Sequence, residues 1–159
     1  MLRAHTLAVL LIVTALPVTA GFKEGIAAYE RGDYTTALRE MKPLAEQGDA
    51  KAQNYLGQMY IRGHGVPKNH REAARWFCKA AEQGEGDAQH NLGLMYYTGR
   101  GVPKNYKLAY MWYSLAAAQG HNAAAKFIEF LEKRMTPAQV ANAKNMAAKW
   151  KPTKAKPTK

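Results

Sequence analysis

Few side chains of this sequence could act as nucleophiles. Its only serine, Ser114, lies in the run Trp-Tyr-Ser-Leu-Ala and lacks the flanking glycines that expose a catalytic serine on a sharp turn. Its only cysteine, Cys78, cannot form an intrachain disulfide and has no Cys-x-x-Cys partner for redox exchange or zinc binding. We therefore expect no catalytic role for either residue.

The histidines beyond residue 20 also lack a spacing that indicates chemistry. No two of them lie four residues apart on a helix face, and no His-Glu-x-x-His motif is present; they are His64, His70, His90 and His121. The Gly-x-Gly segments at 63–65 and 99–101 follow predicted helices rather than strands, so they lack the context of a phosphate-binding loop. The sequence predicts a protein that is not an enzyme, with no metal site and no cofactor.

Most of these serine, cysteine, histidine and glycine residues belong to an internal repeat of 36 residues. When residues 45–80 are aligned with residues 81–116, 19 of the 36 positions are identical without a gap. The shared segments include Ala-Glu-Gln-Gly, Leu-Gly, Met-Tyr and Gly-x-Gly-Val-Pro-Lys-Asn, and Cys78 and Ser114 fall in one column. An opening copy over 22–44 lacks the Gly-Val-Pro-Lys insertion, and a degraded copy covers 117–135.

Each copy predicts two helices with one apolar face apiece. The predicted core columns are Leu56, Gly57, Tyr60, Ala73 and Trp76 in one copy, and Leu92, Gly93, Tyr96, Ala109 and Trp112 in the next. Glycine inside a helix costs about 1 kcal/mol relative to alanine, so Gly57 and Gly93 indicate points where helix backbones approach closely. Gln-Gly pairs at 47–48, 83–84 and 119–120 predict helix ends. Because one helix pair cannot bury its apolar face alone, the copies must stack.

These residues resemble the Sel1-like repeat family, a relative of the tetratricopeptide repeats. The pattern A-x-x-x-L-G-x-M-Y-x-x-G-x-G-V-P-K-N-x-x-x-A-x-x-W-[FY]-x-x-A-A-x-Q-G is met twice almost in full. The resemblance implies an all-α, right-handed solenoid of antiparallel helix pairs over residues 21–135, of the bacterial secreted or periplasmic type. Some secreted relatives carry two cysteines per repeat and a β-lactamase-type activity; this chain departs from that pattern, so the activity is not carried over.

The tetratricopeptide-like arrangement places the first helix of each pair on the concave face. The side chains expected there are Lys51, Asn54, Gln58, Arg62, Asp87, His90, Leu94, Tyr97, Lys126 and Phe130. This mixture of amides, charges and apolar groups suits a protein or peptide segment better than a nucleic acid, which would require a stripe of basic residues with aromatics. We expect a monomeric, non-enzymatic adaptor that binds a partner segment in this groove; a solvated face without a partner is the alternative.

The N-terminal residues predict an export signal. Residues 1–20 combine Arg3, an apolar run from Leu7 to Leu16, Pro17 and small residues up to Ala20, an arrangement typical of a signal peptide that is cleaved after Ala20. An uncleaved N-terminal anchor is the alternative. We therefore expect the mature chain to begin at residue 21 and to reside in the periplasm or to be secreted.

The C-terminal residues are basic, while the rest of the chain is nearly neutral. Hydrophobic residues (47%) and charged residues (22%) are at ordinary levels for a globular protein, but no acid follows Glu132, and the end of the chain carries most of the formal charge of +11. Thr136 and Gln139 predict a capping box for a helix over 136–150 that closes the solenoid. The Lys/Pro-rich residues 151–159 predict a disordered tail, whose binding to an anionic envelope polymer or membrane surface is the alternative function.

Overall fold

The computed structural model describes residues 18–153, and this part of the chain is a stack of α-helices. Eight helices occur in it: α1 (Val18–Glu30), α2 (Tyr34–Gln47), α3 (Ala50–Arg62), α4 (His70–Glu82), α5 (Gly86–Thr98), α6 (Tyr106–Ala118), α7 (Asn122–Glu132) and α8 (Pro137–Lys149). Each helix from α1 to α6 packs against the next one, and α8 packs back on α6. The all-α architecture predicted from the repeat is confirmed.

The Gly-x-Gly-Val-Pro-Lys-Asn segments form tight connections inside the helix pairs. In each, the closing asparagine caps the second helix: Asn69 Oδ1 accepts the backbone N–H groups of Arg71 and Glu72 at 3.0 and 3.1 Å. The backbone N–H of Asn69 donates to the carbonyl of Tyr60 in α3 at 2.9 Å. Asn105 repeats this arrangement between α5 and α6. The loop thus ties the end of one helix to the start of its partner.

The second glycine of each loop also packs against the preceding repeat. A Cβ atom added at Gly65 would lie 2.7 Å from the carbonyl oxygen of Tyr34, the first residue of α2. The equivalent Cβ at Gly101 would collide with the carbonyl of His70, the first residue of α4. Both glycines also have positive φ angles, near +71° and +77°. Only glycine meets both requirements, so these positions hold one repeat against the next.

The helical glycines of α3 and α5 accommodate aromatic rings. A Cβ at Gly57 would lie 2.6 Å from Cε1 of Phe77, and a Cβ at Gly93 would lie 3.0 Å from Cδ1 of Tyr113. Both rings are buried. The interpretation that these glycines bring two backbones together is therefore wrong, because a ring from the second helix of the pair fills the space.

Glutamine side chains connect successive repeats through the interior. Gln53, which is buried, donates from Nε2 to the carbonyl of Ala45 at 3.0 Å, and Gln83 donates from Nε2 to Gln53 Oε1 at 2.8 Å. The same arrangement recurs 36 residues later, where Gln119 donates to Gln89 Oε1 at 2.8 Å. A buried amide needs such partners to offset its lost hydration. These glutamine hydrogen bonds therefore favour one alignment of successive repeats.

Most of the predicted core columns are buried, and three of their members are less buried than expected. Leu56, Gly57, Ala73, Leu92, Gly93, Ala109 and Trp112 are buried, whereas Tyr60, Trp76 and Tyr96 are partly exposed. Trp112 is covered by Trp150, which follows α8, with ring centroids 6.1 Å apart. Trp76 lies at the edge of its helix pair with Lys79 Nζ 4.4 Å from its ring. The expectation that both tryptophans are largely buried is correct only for Trp112.

The C-terminal helix caps the stack as predicted. Thr136 Oγ1 accepts the N–H of Gln139 at 3.2 Å, and Gln139 Oε1 accepts the N–H of Thr136 at 2.9 Å, which confirms the capping box. The apolar face of α8 packs on α6 around Ala143, which is buried.

The first residues of the predicted tail lie against the solenoid. Thr153 donates its backbone N–H and its hydroxyl to the carbonyl of Glu82, at 2.8 and 3.1 Å. The last carbonyls of α4 lack helical partners, which explains the contact. Residues 154–159 of the tail and residues 1–17 of the predicted signal peptide lie outside the described residues. No helix within residues 18–153 combines the length and the apolar character that a membrane crossing requires.

Candidate functional site

Five of the ten side chains predicted for the concave face meet in one groove. Residues from α3 and α5, together with Phe77 of α4 and His121 just before α7, enclose a volume of about 340 Å³. We call this the central groove; its predicted members are Gln58, Arg62, Asp87, His90 and Leu94. These five side chains, which belong to α3 and α5, therefore line one surface.

Three further predicted residues line a second depression between α5 and α7. Tyr97 comes from α5, and Lys126 and Phe130 come from α7, where Ala123 and Phe127 complete the lining of about 380 Å³. We call this the lateral groove. Its surface is mostly apolar, whereas the central groove combines apolar side chains with amides, imidazoles and charges.

The remaining two predicted residues lie elsewhere. Asn54 has only 3% of its surface exposed, and its Oδ1 accepts a hydrogen bond from Asn91 Nδ2 at 3.0 Å. Because Asn54 is buried and bonded to Asn91 of α5, it faces the next repeat rather than a partner, so its placement on the open surface is wrong. Lys51 is exposed and lines neither groove.

A pair of imidazoles forms one wall of the central groove. The rings of His90 and His121 are stacked with centroids 4.2 Å apart, and His121 Nε2 lies 3.4 Å from Asp87 Oδ1. Burial and the neighbouring His121 lower the pKa of His90, and the carboxylate of Asp87 only partly opposes this shift. His90 is therefore neutral at neutral pH and contributes an uncharged aromatic ring to the central groove.

His121 is a groove residue beyond the predicted set, although the repeat carries a signal for it. Glu85 and Asp49 occupy the same column one and two copies earlier, and their carboxylates accept backbone N–H groups at the start of α5 and α3, respectively. His121 makes no such side-chain cap for α7. In this column two carboxylates cap helices, whereas the side chain of His121 lines the central groove instead.

The side chains of the two candidate nucleophiles, Ser114 and Cys78, donate hydrogen bonds within their own helices. Ser114 Oγ donates to the carbonyl of Tyr110 one turn earlier at 2.8 Å. Cys78 donates from Sγ to Glu82 Oε1 at 3.4 Å, and burial, with the nearby carboxylate, raises the pKa of its thiol to about 11. A thiol with this pKa is a poor nucleophile at neutral pH. Within residues 18–153, no three His, Cys, Asp or Glu side chains are arranged to hold a metal ion.

Comparison with known proteins agrees with the repeat and with the fold. The family model described as the Sel1 repeat matches residues 50–85 and 86–121. The matches have the 36-residue period of the sequence alignment but start five residues later, so that each contains one complete helix pair, α3 with α4 and α5 with α6. No curated protein matches the chain.

Two solved structures illustrate the similarity. A protective antigen present in uropathogenic Escherichia coli strains, which displays an SLR fold, superposes with a TM-score of 0.79 and 31% identity over 84% of this chain. A Sel1 repeat protein from Oxalobacter formigenes superposes with a TM-score of 0.68 and 34% identity over 82% of this chain. This chain spans 29% of the first protein and 54% of the second. The chain therefore contains two Sel1 repeats over residues 50–121, and its fold is similar to that of Sel1-repeat proteins.

Proposed function

We propose that this protein is a non-enzymatic adaptor whose concave surface holds a segment of a partner protein. The supporting observation is that eight of the ten predicted face residues line two grooves formed by the first helices of successive repeats. Sel1 repeats generally mediate protein–protein interactions, and proteins of this family are typically scaffolds without enzymatic activity.

The surface chemistry of the grooves favours a polypeptide ligand. The central groove offers amide, imidazole, carboxylate and guanidinium groups that can pair with a peptide backbone and with polar side chains, and the lateral groove offers aromatic surface. Interfaces between proteins combine apolar anchors with a polar rim in this way. A nucleic acid or phosphate polymer would instead require basic residues along the whole surface.

Site-specific photocrosslinking in living cells tests the adaptor function. A photoreactive amino acid replaces Leu94 in the central groove, and a matched variant carries it at Arg75, an exposed residue of α4. We expect a discrete protein adduct at position 94 that is absent at position 75 and is reduced by an added Arg62→Ala change. The proposal fails if both positions give the same products or if neither gives an adduct.

Deletion of residues 154–159 addresses the alternative in which the basic tail binds an anionic polymer. Adducts at position 94 should survive this deletion, because the central groove is lined by residues between Gln58 and His121. If the adducts disappear with the tail instead, the tail rather than the groove recruits the partner.

We further propose that the protein acts outside the cytoplasm after cleavage behind Ala20. This proposal depends on the apolar run and the small residues before residue 21. N-terminal sequencing of protein recovered from the cell envelope should begin at Gly21. An intact Met1 on cytoplasmic protein would refute export.

A further inference from the structure

The lateral groove presents apolar surface that remains accessible to solvent. Phe130 is the exposed large hydrophobic side chain among the residues whose side chains the structure describes, with 36% of its surface accessible. Its ring meets that of Tyr97 edge-on at 5.8 Å, and Phe127 lies at the same distance from Tyr97 on the groove floor. Phe130 thus extends the apolar lining of the lateral groove to the protein surface.

The floor of the lateral groove is held rigidly. The ring of Phe127 stacks on that of Tyr113 with centroids 4.8 Å apart and planes 4° apart, and Tyr113 is fully buried against Gly93. The shape of the groove is thus formed before any ligand arrives. A preformed aromatic floor lowers the entropic cost of binding a side chain.

Cations border the lateral groove. Lys126 lines it, Arg134 lies over the ring of Phe130 at 3.9 Å, and Lys104 Nζ lies 4.9 Å from the ring of Tyr106, which stacks on Tyr97. The ammonium of Lys104, and more weakly the guanidinium of Arg134, lower the pKa of the Tyr106 hydroxyl.

These cations have no acidic partners in the described part of the chain. No carboxylate lies within ion-pair distance of Lys104, Lys126 or Arg134 there. Glu132 of α7 instead accepts a hydrogen bond from Tyr110 at 2.7 Å and pairs with Lys144 of α8 at 3.3 Å. The apolar surface is therefore bordered by positive charge that is available to a ligand.

We propose that the lateral groove binds an acidic peptide segment that carries one aromatic or large aliphatic side chain. The apolar side chain occupies the groove between Tyr97, Phe127 and Phe130, and flanking carboxylates of the segment pair with Lys126 and Arg134. This inference rests on the proposed adaptor function and specifies the chemistry of the partner. The positive charges at the border of the lateral groove favour an acidic segment, and its aromatic rings favour an apolar residue within that segment.

Selection from a phage-displayed library of random peptides on the purified protein tests this inference. We expect enriched peptides with an aromatic or large aliphatic residue flanked by aspartate or glutamate. Synthetic versions are then measured by fluorescence anisotropy against the protein, against Phe130→Ala and Lys126→Glu, and against Lys23→Glu. The last variant makes the same charge change on α1, at the opposite end of the stack.

The expected losses differ among these variants. Phe130→Ala and Lys126→Glu should each weaken binding by about tenfold, a typical effect of losing an interface anchor, while Lys23→Glu should leave the affinity unchanged. Since Phe130, Lys126 and Lys23 are exposed, the melting temperatures of all three variants should match that of the parent protein. Binding should also weaken with added salt.

Several results would overturn the inference. Enriched peptides without acids, or affinities insensitive to Phe130→Ala and Lys126→Glu, contradict the assigned chemistry. Polyphosphate that competes with the peptide and binds Phe130→Ala as tightly as the parent would show that the groove recognises charge alone. Peptides whose binding is lost only with Arg62→Ala would refute the lateral groove but support the adaptor function in the central groove. A selection with no enrichment over a blank surface would contradict both.

Discussion

A glycine within α3 can test how the helix pairs pack. A Cβ atom added at Gly57 would lie 2.6 and 2.7 Å from two ring atoms of Phe77, distances that require the ring or the helix to move. Such overpacking typically costs about 1–3 kcal/mol, and this degree of overlap places it near the upper end. Alanine is a better helix former than glycine by about 1 kcal/mol. We therefore expect Gly57→Ala to lower the free energy of unfolding by about 2 kcal/mol.

The same substitution should change sign when the ring is absent. Phe77→Ala alone should cost about 3–5 kcal/mol because it leaves a cavity in the core. In that background the Cβ of residue 57 enters open space, so Gly57→Ala should raise the free energy of unfolding by about 1 kcal/mol. The coupling between the two substitutions is then about 3 kcal/mol, at the upper end for residues in contact.

Urea denaturation of the four proteins, followed by circular dichroism, gives these free energies. Gly86→Ala is the matched control, because a Cβ there would meet Gln119 at an ordinary 3.5 Å; it should be neutral or mildly stabilising. Gly57→Ala that is neutral or stabilising in the parent protein would refute the packing of Phe77 against this glycine. Equal effects of Gly57→Ala in both backgrounds would do the same.

Three further predictions concern the repeat contacts and the thiol. Gly101→Ala should lower the free energy of unfolding by about 1–3 kcal/mol more than Gly120→Ala, because both have positive φ but only Gly101 abuts a backbone carbonyl; equal losses in urea titrations would contradict this contact. Trp112→Ala should cost about 3–5 kcal/mol, whereas Trp76→Ala should cost less because its ring is partly exposed; the reverse order of melting temperatures would be inconsistent with the packing. Cys78 should react slowly with iodoacetamide at neutral pH and faster as the pH rises toward 11, since only the thiolate reacts. Rapid alkylation of the native protein at neutral pH would refute the raised pKa of this thiol.

Much of the fold could be predicted because the chain repeats itself. Two copies with matching columns distinguish packing positions from chance, and local signals such as Thr136 with Gln139 predict where a helix begins. The identity of the atoms in contact could not be predicted in the same way. Gly57 indicated a close approach, but whether a backbone or the ring of Phe77 made it depends on how two helices cross.

The candidate site also combines features that the sequence predicts with features that it does not. Periodicity placed Gln58, Arg62 and Leu94 on one side of their helices, and the structure brings them together. The structure also buries Asn54, because this side chain faces the next repeat. The stacking of His121 on His90 arises between two segments 31 residues apart, and nothing local in the sequence predicts such a distance.

The sequence by itself determined the helical class, the 36-residue period, the presence of Sel1 repeats and most of the columns that face inward or outward. These features follow from local rules, since helix periodicity, caps and glycine positions act within a few residues. The tertiary structure alone decided which outward columns become grooves and which are covered. The covering of Trp112 by Trp150 and the exposure of Phe130 beside Arg134 depend on the angle at which successive helices stack, and that angle results from all the side chains packed between them.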